Sequence, residues 1–480
     1  MSQLSSTNAQ YQPIPQIVDD NNDTNDESSI EPPPIHRVDS RIHWVHFIFG
    51  CAVLLPWNVL ITATPYFLSR MTGSSLKSSF SSYLSITFTL ANFCFLAHAT
   101  LTSKQSSISR RTLISTLSLA ILVGFLTLST TIPSSPTSFF IFIITNGILQ
   151  ACAGSYLQTA VVATASLFGP VAMQSTMSGQ AFVGVVVSLV QLLSTAASVR
   201  ASQIASATNT PYDEGAAEAR AASLFFGLST LFLCATLGTQ AWLSKLPEYK
   251  AVVQQNQRLL KQDDEPGIGH ELDASHEKQR LVRVAKANLE YELAVAYVFV
   301  VTLAVFPPIT ASIQPVNPSL NPLLFTAAHF LIFNSGDLAG RYLCALPRLH
   351  IWSSRHLLLL SLLRTLFIPL FLLFNIQGSS PSPTSSLLPS SSPSSSSSTA
   401  LDALFFLTLL LFGLSNGYVS SMSMIAAPSV EHNPNLRGKR EDVDVAATIA
   451  GFCLVGGLVV GSAASFVVRA RVCGCNPFVG

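Results

Sequence analysis

Long and nearly uninterrupted apolar runs make up most of the chain, and short polar connections separate them. An α-helix needs roughly 17–25 mostly apolar residues to cross the hydrocarbon core of a bilayer. The runs have helix length and lack the ten-residue alternation of barrel strands, so they predict an all-α integral membrane protein with about eleven transmembrane helices. The predicted spans are 43–68, 80–103, 111–133, 138–164, 174–199, 221–244, 291–313, 321–346, 355–376, 402–427 and 444–469.

Composition agrees with a membrane protein. Hydrophobic residues make up 49% of the chain and charged residues only 11%, whereas a soluble domain carries about a quarter charged residues. The net charge of +1 provides no long-range field for nucleic acid, so we expect no nucleic-acid partner. Six of the eight cysteines lie singly in apolar runs, without metal-ligand spacing. We therefore expect membrane lipid as a partner and no metal or cofactor.

Polar segments divide the chain into domains. Residues 1–42 are acidic and rich in Pro and Ser, which predicts a disordered cytosolic tail. A six-helix bundle is expected over 43–244 and a five-helix bundle over 291–471. Between them, 245–290 is a polar loop in which 271–293 have the pattern of an amphipathic helix. A Ser/Pro-rich loop at 377–400 and a tail at 472–480 complete the division.

Loop charge predicts the orientation. Lys and Arg residues occupy the loops after spans 2, 6, 8 and 10, while the loops after spans 3, 7 and 9 have none. The positive-inside rule then places the N-terminus in the cytosol. Arg469 and Arg471 at the far end disagree with this assignment. Plasma membrane and vacuolar or lysosomal membrane both fit the sequence.

Span 8 contains the most informative charges. Asp337 and Arg341 lie four residues apart and therefore on one helix face, with Asn334 one turn before the aspartate. A charge in mid-bilayer costs about 2.5–3.5 kcal/mol on insertion scales and requires a partner or a water-filled path. The two residues either neutralise each other as a structural pair or line a central cavity and bind a polar substrate.

Other spans contain further polar and small residues. Trp57 lies well inside span 1, where its indole is either an interfacial anchor or a stacking surface for a base. In span 4, Gly154 and Gln158 lie one turn apart; in span 5, Gly179 is a small residue that permits close helix approach. The metalloprotease, nucleophile-elbow and phosphate-loop motifs are absent from the sequence, which argues against an enzyme.

Seven segments, taken in order, resemble the equilibrative nucleoside transporter family. They are LLPWNVLITATPYF, GSYLQ, MSGQAFVG, VFPPI, FNSGDLAGR, RTLFIPLFLLFNI and SNGY. The resemblance covers nearly all of residues 43–471. It implies a major-facilitator-like bundle of six plus five helices, with a substrate site between the halves. It also implies alternating-access transport of purine and pyrimidine nucleosides such as uridine and adenosine.

The resemblance assigns roles to individual residues. It places Leu54 and Trp57 in a nucleobase pocket, with Gln158 as a hydrogen-bond partner of the base. Asp337 and Arg341 would contact the ribose, and Asn334 would support that pair. Phe306 resembles a cavity-lining aromatic of the family, and Gly154 and Gly179 resemble its close-packing positions.

Two alternatives stay open at this point. A carrier of nucleobases or of another small polar solute would have the same architecture. A membrane receptor or scaffold would use the central loop to recruit cytosolic partners. The driving force is also open between facilitated diffusion and coupling to protons, for which Asp337 is the candidate carrier.

Overall fold

A computed structural model describes residues 40–74, 76–77, 80–102, 107–208, 214–262, 270–307, 309–374 and 395–473. Nearly all of this part is helical. The predicted tail lies outside the described residues up to position 39, as do 375–394 of the Ser/Pro-rich segment and 474–480 at the C-terminus.

Nine helices precede the second bundle in the chain. They are α1 (Ser40–Thr62), α2 (Thr64–Arg70), α3 (Phe80–Leu101), α4 (Ile108–Ser129), α5 (Pro136–Leu167), α6 (Pro170–Thr208), α7 (Glu214–Leu243), α8 (Pro247–Gln262) and α9 (His270–Ala287).

Six helices follow. They are α10 (Leu289–Val305), α11 (Pro322–Leu343), α12 (Ser354–Leu363), α13 (Phe367–Leu372), α14 (Ser395–Ala426) and α15 (Val443–Cys473).

Within the described residues, ten helical segments are long and apolar enough to cross a membrane. The helix α11 is not among these ten, because its polar run from Asn334 to Arg341 lowers its hydropathy. With α11 included, the helices match the eleven predicted spans one for one, and the all-α prediction is confirmed.

Prolines explain why two predicted spans are each split. Span 1 turns at Ala63, between α1 and α2, where Pro65 has no N–H to continue the hydrogen-bond ladder. Span 9 contains a 3₁₀ turn at Arg364–Leu366. This turn directly precedes α13, whose third residue is Pro369. That turn brings the side chain of Arg364 into the bundle, as described below.

Side-chain caps fix the start of several helices. Ser107 accepts from the backbone N–H of Arg110 at the start of α4, and Ser135 accepts from Ser138 at the start of α5. Asn321 accepts from Leu323 and Leu324 before α11. Each cap satisfies N–H groups that have no partner within the helix.

Three predicted spans are too short at their ends. The helix α6 continues to Thr208 instead of ending at 199, α7 begins at Glu214 instead of 221, and α14 begins at Ser395 instead of 402. The extensions contain Ala, Ser, Gln and Glu, which a helix accepts but a bilayer core does not favour. The hydropathy pattern therefore measured the apolar length and not the helix length.

The segment 245–290 contains two helices, where the sequence predicted a loop with one. Tyr249 at the start of α8 stacks on Phe168, which follows α5, with ring centroids 6.1 Å apart. Arg280 of α9 forms a 2.7 Å ion pair with the fully buried Asp442, just before α15. Arg283 contacts the same carboxylate at 3.0 Å. Both helices thus pack on the bundle: α8 contacts α5 and the turn at Arg440–Asp442, and α9 contacts α15.

Helices from before and after this segment pack together in two places. On one side α6 contacts α11. On the other, α15 contacts α3 and α5, and Phe93 of α3 stacks on Phe452 of α15 with centroids 5.2 Å apart. The first of these contacts contains the charged residues predicted from the sequence.

Candidate substrate-binding site

Asp337 and Arg341 form an ion pair within α11, which was one of the two alternatives left open by the sequence. Arg341 Nε donates to Asp337 Oδ2 at 2.9 Å, one helical turn apart. Each residue is only 6% exposed. A buried charge whose partner is removed is costly, by about 3–5 kcal/mol, so neither residue is replaceable by itself without loss.

Hydrogen bonds join this pair to α6. Arg341 Nη1 donates to the carbonyl oxygen of Met177 at 3.0 Å. Gln174 Nε2 donates to the carbonyl oxygen of Arg341 at 3.3 Å and to Ser178 at 2.9 Å. The ion pair therefore lies at the contact of α6 and α11.

The helix α14 approaches the pair from the other side. Asn416 Nδ2 donates to Asp337 Oδ1 at 2.6 Å, so both oxygens of the carboxylate accept hydrogen bonds. This contact requires close backbone approach: a Cβ at Gly417 would lie 1.9 Å from the carbonyl oxygen of Asp337, and one at Gly340 would lie 2.1 Å from that of Leu414. Small residues four apart on each helix permit this approach.

A second guanidinium extends the network. Arg364, in the 3₁₀ turn between α12 and α13, is 2% exposed. Its Nη2 donates to Thr302 Oγ1 at 2.8 Å. Its Nη1 donates to the carbonyl oxygen of Phe412 at 3.0 Å and to the Ser415 hydroxyl. The charge also lies 4.6 Å from the centre of the Phe412 ring, a cation–π distance.

Thr302 connects the two charged groups. Its hydroxyl donates to Asn416 Oδ1 at 2.7 Å, and the Asn416 amide donates to Asp337. Two guanidinium groups and one carboxylate thus share a polar network that joins α10, α11, α14 and the α12–α13 turn. Polar networks in which the members satisfy one another fix side-chain orientation in a low-dielectric interior.

Asn334 occupies a different position from the predicted one. Its amide donates to Ser188 on α6 at 2.7 Å, and its described hydrogen bond is not made with the ion pair. A Cβ at Gly184 would lie 2.9 Å from Asn334 Oδ1. Asn334 is therefore a second polar contact between α6 and α11, two turns from Arg341.

Phe306 lies in an aromatic cluster at the end of α10. Its ring stacks on Phe333 of α11 with centroids 4.0 Å apart and on His329 at 4.9 Å. His329 Nε2 is 2.8 Å from the Thr310 hydroxyl, which gives this buried imidazole a polar partner. In this conformation Phe306 is buried, where the sequence predicted a cavity-lining aromatic.

The nucleobase candidates lie on α1 and α5. Trp57 is half-buried and packs against Phe88 of α3 with ring centroids 4.5 Å apart. Leu54 and Gln158 are half-buried as well. Among the described residues, no hydrogen bond or ring contact joins Trp57 or Gln158 to the Asp337 network. The structure thus joins Asp337 and Arg341 of α11 in one network and leaves these three residues on α1 and α5.

The two predicted packing glycines differ. A Cβ at Gly179 would lie 2.1 Å from the carbonyl oxygen of Phe47, so α6 and α1 are in backbone contact there. A Cβ at Gly154 would meet no atom within 4 Å. The close-packing prediction for Gly154 is wrong, because this glycine faces open space instead of a neighbouring helix.

Two central residues of the network were not predicted as site residues. Arg364 was visible as a charge in the middle of span 9, well after Arg355 at its first position, and such a charge indicates a functional position in itself. Asn416 was visible within SNGY in span 10. The glycine spacing 336/340 and 413/417 also indicated that α11 and α14 pack closely.

Membrane-length helices that bury charges, amides and hydroxyls where α6 meets α11 are typical of a membrane transporter, because intramembrane charges commonly mark a substrate or ion pathway. The fold agrees with two major facilitator superfamily carriers. The fucose:proton symporter FucP of E. coli superposes with a TM-score of 0.51 at 13% identity, covering 91% of this chain and 94% of that one. The proton:xylose symporter XylE gives 0.51 at 12% identity, covering 88% and 87%. The protein thus has the major-facilitator fold.

The chain belongs to the nucleoside transporter family, whose sequence profile matches residues 144–470. Equilibrative nucleoside transporter 2 of Rattus norvegicus is 30% identical, over 88% of this chain and 96% of the relative. Equilibrative nucleoside transporter 1 of the same species is 26% identical, over 89% and 96%. Nucleoside transporter FUN26 of Saccharomyces cerevisiae is 26% identical, over 90% and 85%. The family consists of transporters and not of enzymes, as the sequence predicted.

Proposed function

We propose that this protein carries purine and pyrimidine nucleosides, such as uridine and adenosine, across the membrane by alternating access. The observation that carries the proposal is the Asp337–Arg341 pair at the contact of α6 and α11. Membership of the nucleoside transporter family supports the substrate class.

The chemistry of the pair suits a ribose. A carboxylate accepts hydrogen bonds from sugar hydroxyls, and the guanidinium fork donates to hydroxyl and base oxygens. We assign Trp57 to stacking on the base and Gln158 to its polar edge, with Leu54 as an apolar wall. Phe306, which is buried in this conformation, is assigned to the cavity wall. Asn334 is assigned to the α6–α11 contact instead of to the support of the ion pair.

Access to the pair requires movement, because both residues are buried here. We propose that residues 43–244 and 291–471 rock as two bodies around the site. Separation of α6 from α11 breaks the bonds from Arg341 to Met177 and from Asn334 to Ser188. A bound nucleoside would replace these partners with its own hydroxyls.

Facilitated diffusion fits the network better than proton coupling through Asp337. Both of its oxygens accept hydrogen bonds, from Arg341 and from Asn416. A proton on either oxygen would remove the negative charge that pairs with Arg341 at 2.9 Å. We therefore propose that transport follows the nucleoside gradient.

Loop charge supports a cytosolic N-terminus. On this orientation the loop between α3 and α4 and the helices α8 and α9 are cytosolic, while the α4–α5 loop lies outside. Labelling single cysteines placed at Ser134 and at Arg348 with an impermeant maleimide in intact cells tests it. Ser134→Cys should react and Arg348→Cys should not; the reverse pattern rejects the orientation.

Radiolabelled uptake into proteoliposomes tests the transport proposal. Uridine and adenosine should show saturable uptake that Arg341→Ala abolishes. Arg355→Ala is the matched control, because Arg355 is 88% exposed and its ion pair with Glu290 is long, at 3.7 Å. Uracil and ribose should compete poorly if the site holds both parts of the nucleoside. Absent uptake, or equal uptake by Arg341→Ala, would refute the assignment.

A further inference from the structure

A cavity lies between α4 and α5, outside the proposed transport path. Its volume is about 670 Å³. At 100° per residue, its α5 residues Leu149, Cys152 and Tyr156 lie on the side of that helix opposite Gly154 and Gln158. The cavity therefore opens away from the proposed nucleoside site.

The walls of this cavity face the bilayer. Ile114 and Ile121 on α4 are 52% and 50% exposed, and Leu149 on α5 is 49% exposed. Exposed aliphatic side chains on a membrane-length helix are in contact with lipid tails. The cavity is thus a groove in the lipid-facing surface, and we call it the α4–α5 groove.

One end of the α4–α5 groove is cationic. Arg110 is exposed at the first turn of α4. Arg111 beside it donates to the carbonyl oxygen of Ala99 at 2.9 Å and to Thr159 at 2.8 Å, and it lies 5.6 Å from the centre of the Tyr156 ring. The Tyr156 hydroxyl is 2.6 Å from His98 Nδ1. Within the described residues, the groove lining contains no Asp or Glu.

We propose that the α4–α5 groove binds one anionic phospholipid. The headgroup phosphate would lie against Arg110 and Arg111, and one acyl chain would follow the apolar walls to Leu122. A helix rises about 1.5 Å per residue, so the path from Arg110 to Leu122 is about 18 Å, which suits a single acyl chain. Anionic lipids are concentrated in the cytosolic leaflet, where the proposed orientation places the cationic end.

The groove and the transport site share α5. Tyr156 faces the lipid and Gln158 faces the opposite side, within one turn of the same helix. A bound lipid would therefore restrain the helix that carries a nucleobase contact, and anionic lipid should alter uptake without contacting the substrate.

Native mass spectrometry of the purified full-length protein tests the proposal directly. Titration with dioleoylphosphatidylserine should give a single adduct that dioleoylphosphatidylcholine does not give. Arg110→Gln should weaken the adduct about fivefold, as expected for one surface cation near an anionic lipid. Arg348→Gln removes an exposed charge elsewhere and should leave the adduct unchanged. Ser118→Trp should fill the groove, whereas Leu117→Trp, on a part of α4 outside the lining, should not.

Three results would overturn the proposal: equal adducts with both lipids, equal weakening by Arg110→Gln and Arg348→Gln, or an undiminished adduct in Ser118→Trp. Uridine uptake into phosphatidylcholine-only liposomes is measured separately. Because it tests the transport site without anionic lipid, a failure of the lipid proposal is distinguishable from a failure of the transport proposal.

Discussion

Asn416 of α14 donates a 2.6 Å hydrogen bond to Asp337 Oδ1 of α11, while Asp337 Oδ2 accepts from Arg341. The other end of the same amide accepts from Thr302 at 2.7 Å. Because both the oxygen and the nitrogen of the Asn416 amide make hydrogen bonds, the orientation of the amide is fixed, and it fixes the orientation of the Asp337 carboxylate. A residue of α14 therefore orients the ion pair within α11.

Asn416→Ala should reduce uridine uptake about tenfold or more. The substitution leaves one buried oxygen of Asp337 without its donor, and a lost bond to a charged group costs about 1.5–3 kcal/mol. Uptake is compared at equal protein amounts in proteoliposomes. Asn435→Ala, on an exposed loop, serves as the control and should be normal. Full uptake by Asn416→Ala would show that the amide is dispensable.

Gly417→Ala should destabilise the protein. Its Cβ would lie 1.9 Å from the carbonyl oxygen of Asp337, so α11 and α14 must separate, and such overpacking costs about 1–3 kcal/mol. Thermal unfolding in detergent should occur at a clearly lower Tm. Gly238→Ala, where a Cβ meets nothing within 4 Å, is the matched control. An equal Tm for both variants would contradict the close contact.

Arg364→Lys should lose most uptake although the charge is kept. The guanidinium makes bonds to Thr302, Phe412 and Ser415 in different directions, and an ammonium lacks that planar fork. Uptake and Tm are measured together, with Arg355→Lys as the exposed control. Wild-type uptake and stability in Arg364→Lys would show that a positive charge alone is sufficient at this position.

A crosslink between α6 and α11 should stop transport. The Ser188 hydroxyl and the Asn334 amide are 2.7 Å apart, so Ser188→Cys combined with Asn334→Cys brings two thiols into reach. Oxidation should abolish uridine uptake, and a reductant should restore it. The single variants, treated alike, control for the native cysteines. Undiminished uptake with a verified crosslink would mean that this contact does not open during the cycle.

Uptake should be nearly equal at mildly acidic and neutral pH, with or without an imposed proton gradient. The reason is that a proton on Asp337 would remove the negative charge that pairs with Arg341. Uridine counterflow with and without a protonophore measures this. If uridine accumulates against its gradient and the protonophore abolishes that accumulation, transport is coupled to protons and facilitated diffusion is refuted.

Sequence reasoning predicted the helices because apolar run length reports directly on bilayer crossing. It also placed Asp337 and Arg341 on one helix face, since their spacing of four residues settles their proximity, and their pairing was one of the two alternatives it left open. Partners on different helices are not encoded by local spacing: the bonds from Arg341 to Met177 and from Asn416 to Asp337 arise from packing. For the same reason Gly154 was wrongly predicted to pack closely, because a glycine in a span does not reveal which side its neighbours occupy.

The chain between the two bundles is held at two points. Tyr249 is fixed to Phe168 beside α5, and Arg280 is fixed to Asp442 beneath α15. If residues 43–244 and 291–471 rock as proposed, α9 moves with the second bundle, because its Arg280 is paired with Asp442, whereas α8 contacts both α5 and the turn at Arg440–Asp442. A fluorophore attached to Lys286 on α9 would report the motion of the second bundle, whereas one attached to the exposed Lys245, directly after α7, would report the motion of the first. The distance between these two fluorophores would then change as the bundles move, and both labels lie outside the proposed substrate site.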